Sequence, residues 1–310
     1  MPEIQLHLAT PGGPGRYRIA GESVTAFPSL PEMEAFATVE PSASTRLELG
    51  PADDEPASLV RAVQGVVADR ERRVTCLRES RGYRLEVEEI GVVRIWRSGA
   101  SWTERLLVST EEPATAPVVA AVLGPGLTLA LALRGTWVLH ASAVMRAGRL
   151  FLFTGPGGVG KSTLGRYLGD VPGWELVADD LVPIRVEQGE PVARPRFIQP
   201  RWPAAAQRSA GLPESMPIQA LCLLGRPVDE DTPGEVSCHP ASGAQAALGL
   251  IGQTVCASLF DEPLLQRHLE DAIRVVEAVP TVSLRYPQEW EVLPQIEATL
   301  RRLAEPRRDS

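Results

Sequence analysis

The chain has 310 residues, 44% hydrophobic and 23% charged, which is enough apolar material for one or two domains with a real core. A formal net charge of −8 excludes a broad electrostatic grip on nucleic acid, whose phosphate backbone demands surplus Lys and Arg. The four cysteines, Cys76, Cys222, Cys238 and Cys256, include no C-x-x-C pair, so their spacing yields neither a zinc site nor a disulfide framework. Cys238 beside His239 is at most half of a metal site. With no secretory signal at the N-terminus, reduced thiols and a cytoplasmic setting are expected.

Residues 1–112 read as short strands separated by turns. Arg73–Leu77, Tyr83–Val87, Val92–Trp96 and Trp102–Val108 are rich in β-forming residues, and Arg81-Gly82, Ile90-Gly91 and Ser98-Gly99 punctuate them. Leu59–Asp69 spaces Leu59, Val60, Val63, Val66 and Val67 as a helix would. A smaller α+β domain of unassigned role is therefore expected over 1–112, ending near Glu111-Glu112-Pro113. Ala116–Leu133 is almost uncharged and as long as a membrane span, but Gly124-Pro125-Gly126 cuts it in the middle. Two short buried segments, or one broken helix, are expected there instead of a span.

From about 113 to 310 the pattern becomes that of a sheet flanked by helices. Strands are expected at Trp137–Val144, Leu150–Thr154, Trp174–Ala178, Ile218–Leu224 and Thr281–Leu284, with a hairpin from Val182–Val186 and Val192–Phe197. Helices are expected at Lys161–Leu168, Ala244–Leu259, Leu264–Glu277 and Glu291–Leu303. Antiparallel strands should be mixed into the parallel core. Pro200–Pro217 reads as irregular; Arg194, Arg196, Arg201 and Arg208 gather around it, as does Trp202, and these could meet phosphate, a substrate or only solvent.

Gly155-Pro156-Gly157-Gly158-Val159-Gly160-Lys161-Ser162 matches the Walker A pattern G-x-x-x-x-G-K-[ST] at every fixed position, and Thr163 follows. Glycines let the backbone fold tightly so that successive N–H groups face phosphate oxygens. Lys161 is placed for the β- and γ-phosphates and Ser162 for Mg²⁺, while the helix that starts there adds its positive end. The apolar strand Leu150–Thr154 feeds the loop, which is the setting a P-loop needs.

About eighteen residues past Lys161, a strand ends in Asp179-Asp180. One acid of such a pair can hold Mg²⁺ while the other takes the proton from an attacking hydroxyl; spacing alone does not say which. His140 lies on the strand ahead of the loop, either as a core histidine or as a member of the site.

The segments Leu139–Val144, Gly155–Thr163 and Leu176–Val182 together resemble the catalytic domain of the HPr kinase/phosphorylase family. That family's fold is similar to phosphoenolpyruvate carboxykinase. The likeness covers roughly Val138–Val186 well, the rest of the C-terminal part loosely, and residues 1–112 not at all. It implies a P-loop kinase domain with a mixed sheet, using ATP and Mg²⁺. Lys161 and Ser162 would serve phosphates and metal, Asp179 would be the general base, Asp180 a metal-side carboxylate, and His140 a neighbour of that base. The chain departs from the family in carrying Thr163 where Glu is usual, and in lacking a Gly-rich signature between Gln199 and Leu224. Weak reverse chemistry is expected in consequence. The pattern is more similar to divergent relatives such as serine kinases of lasso-peptide gene clusters, which modify a precursor's tail.

The expected function is transfer of the ATP γ-phosphoryl group to a serine hydroxyl of a peptide or protein, with a ribosomal peptide precursor or free serine among the acceptors. A P-loop ATPase switch, or a nucleotide-binding module that recruits a partner, are the alternatives. No nucleic-acid partner is expected, and the oligomeric state, homo-oligomer included, is open.

Overall fold

The computed structural model describes residues 15–27, 30–38, 45–49, 56–98, 103–109, 116–200, 202, 211–226, 236–241 and 243–304. The chain divides into two compact units, Met1–Arg134 with Val255–Leu265, and Gly135–Thr254 with Gln266–Ser310. The boundary expected at Glu111-Glu112-Pro113 lies outside the described residues, and the division falls instead between Arg134 and Gly135. The apolar run Ala116–Leu133 therefore belongs with the first unit, where it neighbours three strands of that unit's sheet.

The first unit is one eight-stranded sheet: β1 (Gly15–Ile19), β2 (Glu22–Phe27), β3 (Thr45–Leu49), β4 (Ser58–Val67), β5 (Arg70–Arg78), β6 (Gly82–Val87), β7 (Gly91–Ser98) and β8 (Thr103–Ser109), in the order β1-β2-β3-β8-β7-β6-β5-β4. Alternate residues enter its core, as a pleated strand requires: Val74 and Cys76, then Tyr83, Leu85 and Val87, then Val93 and Ile95. Leu59–Asp69 is not a helix. It forms β4, paired along its length with β5, and the hairpin turns through Ala68 and Asp69 at φ of 52° and 59°. As an edge strand it leaves Leu59 66% and Val66 77% exposed, so its apolar residues are not confined to one face and the period of two is lost. Helix in this unit's described residues is confined to short 3-10 turns, the run α1 (Ala116–Ala121), π turn Val122–Gly126 and α2 (Leu127–Leu133), and residues 262–265, where a helix that continues into the second unit begins, so the expected α+β module is predominantly sheet. The π turn falls on Gly124-Pro125-Gly126, where Pro125 has no N–H to give and the wider turn absorbs the mismatch. The whole run is long and apolar enough to cross a membrane by length and composition, and it is 67% buried within the protein.

The second unit is a mixed α/β structure, as expected. Its elements are β9 (Thr136–Arg146), β10 (Arg149–Thr154), α3 (Lys161–Gly169), β11 (Glu175–Ala178), β12 (Leu181–Glu187), β13 (Glu190–Ala193), β14 (Met216–Gly225), β15 (Ser237–Pro240), α4 (Gly243–Ile251), α5 (Glu262–Ala278), β16 (Thr281–Arg285) and α6 (Leu293–Ala304). The sheet runs β10-β9-β12-β13-β14-β16-β15, with β11 also on β9 and β10 also parallel to β14. The helix expected over Ala244–Leu259 stops at Ile251, because Thr254 bridges to Leu139 of β9 and Cys256 turns through φ 62°. β15 was not anticipated; its side chains are half-buried or exposed, so it carries no strong apolar pattern.

Leu164 and Leu168 of α3 and Ile296 and Leu300 of α6 are fully buried among Val144, Phe151, Phe153 and Leu284. Each such burial contributes about 1.5–3 kcal/mol. Gly165 lets α3 lie close on the sheet: a Cβ there would stand 2.1 Å from Ser142 Oγ. A larger residue would lift the helix away from β9 and β11 and spoil the site described next.

Candidate active site

The phosphate-type loop spans Gly155–Gly160 between the end of β10 and the start of α3. Gly155 adopts φ 151°, and a Cβ on it would meet the Leu224 carbonyl oxygen at 2.5 Å, so neither its conformation nor its surroundings admit a side chain. Gly158 and Gly160 also have positive φ, at 73° and 102°. Gly160 caps α3 without any side-chain hydrogen bond, and the positive end of the helix faces the loop, a setting that suits an anion. Pro156, Gly157 and Gly158 are exposed, Val159 is buried under the loop, and Thr163 faces solvent.

Lys161 is buried, and its ammonium donates to the carbonyls of Gly155 at 2.7 Å and Pro156 at 3.1 Å. The cation is thus folded over the mouth of its own loop. Ser162 Oγ donates to the Asp179 carbonyl at 3.4 Å, tying the first turn of α3 to the carboxylate turn.

That turn links β11 to β12. β11 pairs with β9 through an irregularity between Leu176 and Ala178, and β12 then pairs Leu181 opposite His140. Such a break in register re-aims the side chains that follow it. As a result the two neighbouring acids have different surroundings. The Asp179 carboxylate is completely buried, with Oδ2 accepting from Arg166 Nη2 at 2.7 Å and Nε at 3.1 Å. Its other oxygen, Oδ1, is buried and makes no hydrogen bond. The Asp180 carboxylate is 14% exposed and lies 3.3 Å from His140 Nε2.

One residue holds the turn from below. Gln199 is 2% exposed, and its Oε1 accepts from the backbone N–H groups of Asp179, Asp180 and Leu181 at 3.1, 3.1 and 3.3 Å. Its Nε2 donates to the Leu181 carbonyl at 2.7 Å. Three successive N–H groups converging on one oxygen make a nest of the kind that binds anions, here filled by an amide.

A cavity of about 410 Å³ opens over the loop, lined on one side by His140, Gly157, Gly158, Gly160 and Lys161–Thr163. Its other wall is the segment Tyr286–Leu293, which contributes Tyr286, Gln288, Glu289, Trp290 and Leu293. Gln288 Nε2 donates to the Gly158 carbonyl, and Tyr286 Oη to the Val159 carbonyl at 3.4 Å. Burial pushes the Tyr286 phenol up to about 12, so it stays a neutral donor.

Of the residues singled out in the sequence, Ser162 of the Gly155–Thr163 stretch meets the Asp179 backbone, and His140 stands beside Asp180. Arg166, Gln199 and Trp290 were not anticipated. Arg166 sits one helical turn beyond Ser162 on the same helix, a spacing that could have flagged it; Gln199 and Trp290 carry no local signal. The arginine cluster does not converge here. Arg194 pairs with Glu187, Arg196 Nε donates to the Leu212 carbonyl at 2.6 Å, and Arg201 and Arg208 lie outside the described residues. Trp202 is half-buried, and its backbone N–H donates to the Gln199 carbonyl at 3.0 Å.

Among the described residues no three His, Cys, Asp or Glu side chains converge as a metal cluster. The donor set suits Mg²⁺ all the same, since that ion takes one or two protein oxygens and completes its shell with phosphate and water. The Ser162 hydroxyl and the orphaned Asp179 Oδ1 are oxygens of that kind.

No family model and no curated protein matches the chain. Among solved structures, the Hpr(Ser) kinase/phosphatase from Coxiella burnetii is similar over 53% of this chain and 94% of its own, at 15% sequence identity and a TM-score of 0.29. Overlap at that level assigns neither fold nor activity to this chain.

Proposed function

We propose that the second unit binds ATP at Gly155–Thr163 and transfers its γ-phosphoryl group to a serine hydroxyl of a peptide or protein. The observation that carries this reading is the junction of loop and acid pair: Ser162 on the first turn of α3 touches the backbone of Asp179, and His140, which lines the cavity, lies 3.3 Å from the Asp180 carboxylate. Simple nucleotide storage needs no such pair, whereas phosphoryl transfer to an alcohol uses one carboxylate at the metal and one for the proton.

In the forward reaction Lys161 exchanges the Gly155 and Pro156 carbonyls for β- and γ-phosphate oxygens, and the uncapped N–H groups of α3 hold the same oxygens. Ser162 and one carboxylate of the pair would hold a Mg²⁺ ion that arrives with the nucleotide, which would supply charge neutralisation. The acceptor serine oxygen attacks the γ-phosphorus, its proton passes to a carboxylate, and the bond from the γ-phosphorus to the bridging oxygen breaks to release ADP. Asp180 suits the proton role, because it is partly open and His140 can stabilise its charge. Asp179 suits the metal side, because Arg166 occupies one of its oxygens and leaves the other bare. The family resemblance implies the roles the other way round; burial of Asp179 and its Arg166 partner favour the exchange.

The test is incubation with labelled ATP, Mg²⁺ and candidate serine-bearing peptides, followed by mass spectrometry. Phosphoserine on a peptide supports the reading. Orthophosphate release without a phosphorylated acceptor would identify a hydrolytic switch instead, and absence of turnover a binding module.

A further inference from the structure

We propose that Trp290 is the platform on which the nucleobase stacks, and that the base is a purine. This inference rests on the Gly155–Thr163 loop holding a nucleotide's phosphates. Trp290 opens a single 3-10 turn, Trp290–Val292, whose other end is pinned by buried Val292 and followed by buried Leu293. The indole itself is 69% exposed, although it lines the cavity. Tyr286, also on that wall, is buried and gives its hydroxyl to the loop, so it supports the wall and has no face to offer. A large aromatic side chain left in solvent at the rim of a pocket is a surface awaiting a flat partner.

The charges along the cavity give the partner its orientation. At the loop end stand the Lys161 cation and the N-terminus of α3, which no side chain caps, a setting that suits an anion. At the far wall stands Glu289, which repels a second phosphate but accepts from N–H groups, as does the Gln288 side-chain oxygen. A ligand anionic at one end and flat, neutral and edged with N–H donors at the other is a nucleoside triphosphate. The wider π-face of a purine covers more indole than a pyrimidine does. The wall is also fastened to the loop by Gln288 and Tyr286, so the distance from platform to phosphate site is set before the ligand arrives.

The experiment compares the parent with Trp290→Ala, Trp290→Phe and Lys161→Ala, titrating ATP, CTP and inorganic tripolyphosphate by calorimetry. Tripolyphosphate has the anionic chain and no base, so it reports the cradle alone. Trp290→Ala should weaken ATP by about tenfold or more while leaving tripolyphosphate unchanged, and Trp290→Phe should restore most of the loss. Parent protein should prefer ATP to CTP, and Trp290→Ala should narrow that preference. ATP, but not tripolyphosphate, should quench tryptophan emission in the parent, and the quench should vanish in Trp290→Phe. Because Trp290 is exposed, both Trp290 variants should unfold at the parent temperature. If Trp290→Ala binds ATP like the parent while Lys161→Ala loses both ligands, the platform is wrong and the cradle stands. If the parent binds neither ATP nor tripolyphosphate, the cradle falls and the platform with it.

Discussion

Replacing Gln199 with leucine removes the side chain that accepts three backbone N–H groups of the Asp179–Asp180 turn, and the consequence can be worked from the distances. Three backbone N–H groups, at 3.1, 3.1 and 3.3 Å, lose their acceptor, and the Leu181 carbonyl loses a donor at 2.7 Å. A buried polar group left unpaired costs about 1–3 kcal/mol. The three donors share one oxygen, so their losses do not add in full, and about 3–5 kcal/mol in all is expected. For a unit of this size that corresponds to a fall of about 10 °C in the temperature of its unfolding transition. Gln199→Glu keeps an oxygen for the nest but adds a charge beside two carboxylates and removes the donor to Leu181. It should cost less stability, lower the phosphoryl-transfer rate, and leave ATP affinity within about twofold, since Gln199 does not line the cavity. Scanning calorimetry and single-turnover transfer measure the two effects separately. A Gln199→Leu protein that unfolds within about 1 °C of the parent and transfers phosphate at the parent rate would refute the idea that this amide sets the turn.

Lys161→Ala removes the one buried ammonium facing the loop and should weaken ATP by about 2 kcal/mol or more, roughly thirtyfold; equal affinity and equal turnover would mean that the cradle is idle. Phosphorylated peptide incubated with inorganic phosphate and without ADP should stay intact over the time of the forward reaction, because Gln199–Leu224 carries no Gly-rich signature; rapid pyrophosphate release contradicts this. His268 is 1% exposed, stacked on Trp137 at 4.4 Å, and burial lowers its titration from 6.5 to about 4. Between those values the unfolded chain binds more protons than the folded one, so stability is complete above pH 6.5 and falls by about 3 kcal/mol as pH drops toward 4. Denaturant melts from pH 7 to 4 should show that slope, and His268→Gln should flatten it.

The parts legible in the sequence are those in which a few adjacent residues carry the whole constraint. Gly155–Ser162 needs its glycines for backbone angles and its Lys and Ser for chemistry, all within one turn of chain, so the pattern survives without tertiary information. Asp179-Asp180 was legible as acid at the end of a strand, and His140 as a polar residue on an apolar strand. The Gln199 nest was not, because a glutamine before Pro200 has no local reason to be buried; its partners are three backbone groups some twenty residues away. Trp290 precedes a helical pattern and reads as its first turn, so its exposure shows only once the loop stands opposite. Leu59–Asp69 misled for a related reason. An edge strand covered on one face by little else keeps valines on both sides, and a helical spacing then arises without a helix.

Adjacent acids with different surroundings should fail in different ways, and the difference decides their roles. Asp180→Asn keeps the size of the side chain and its contact with His140 but cannot take a proton. A positioned base contributes about 10²–10⁴-fold, and a loose phosphoryl-transfer transition state draws on the lower half of that range. Turnover should therefore fall by roughly 10²–10³-fold with ATP affinity little changed. Asp179→Asn leaves the Arg166 guanidinium facing a neutral amide; Arg166 is 63% exposed and stays solvated, so the fold should survive. What changes is the bare Oδ1, which becomes part of a weaker ligand, and the Mg²⁺ concentration for half-maximal rate should rise while saturating metal restores most of the rate. If the two carboxylates act in one step, the double variant should lose less than the product of the single losses. Exchange of the two phenotypes would return the proton role to Asp179. Parent-like transfer with an unchanged Mg²⁺ requirement in both variants would remove the acid pair from the chemistry altogether.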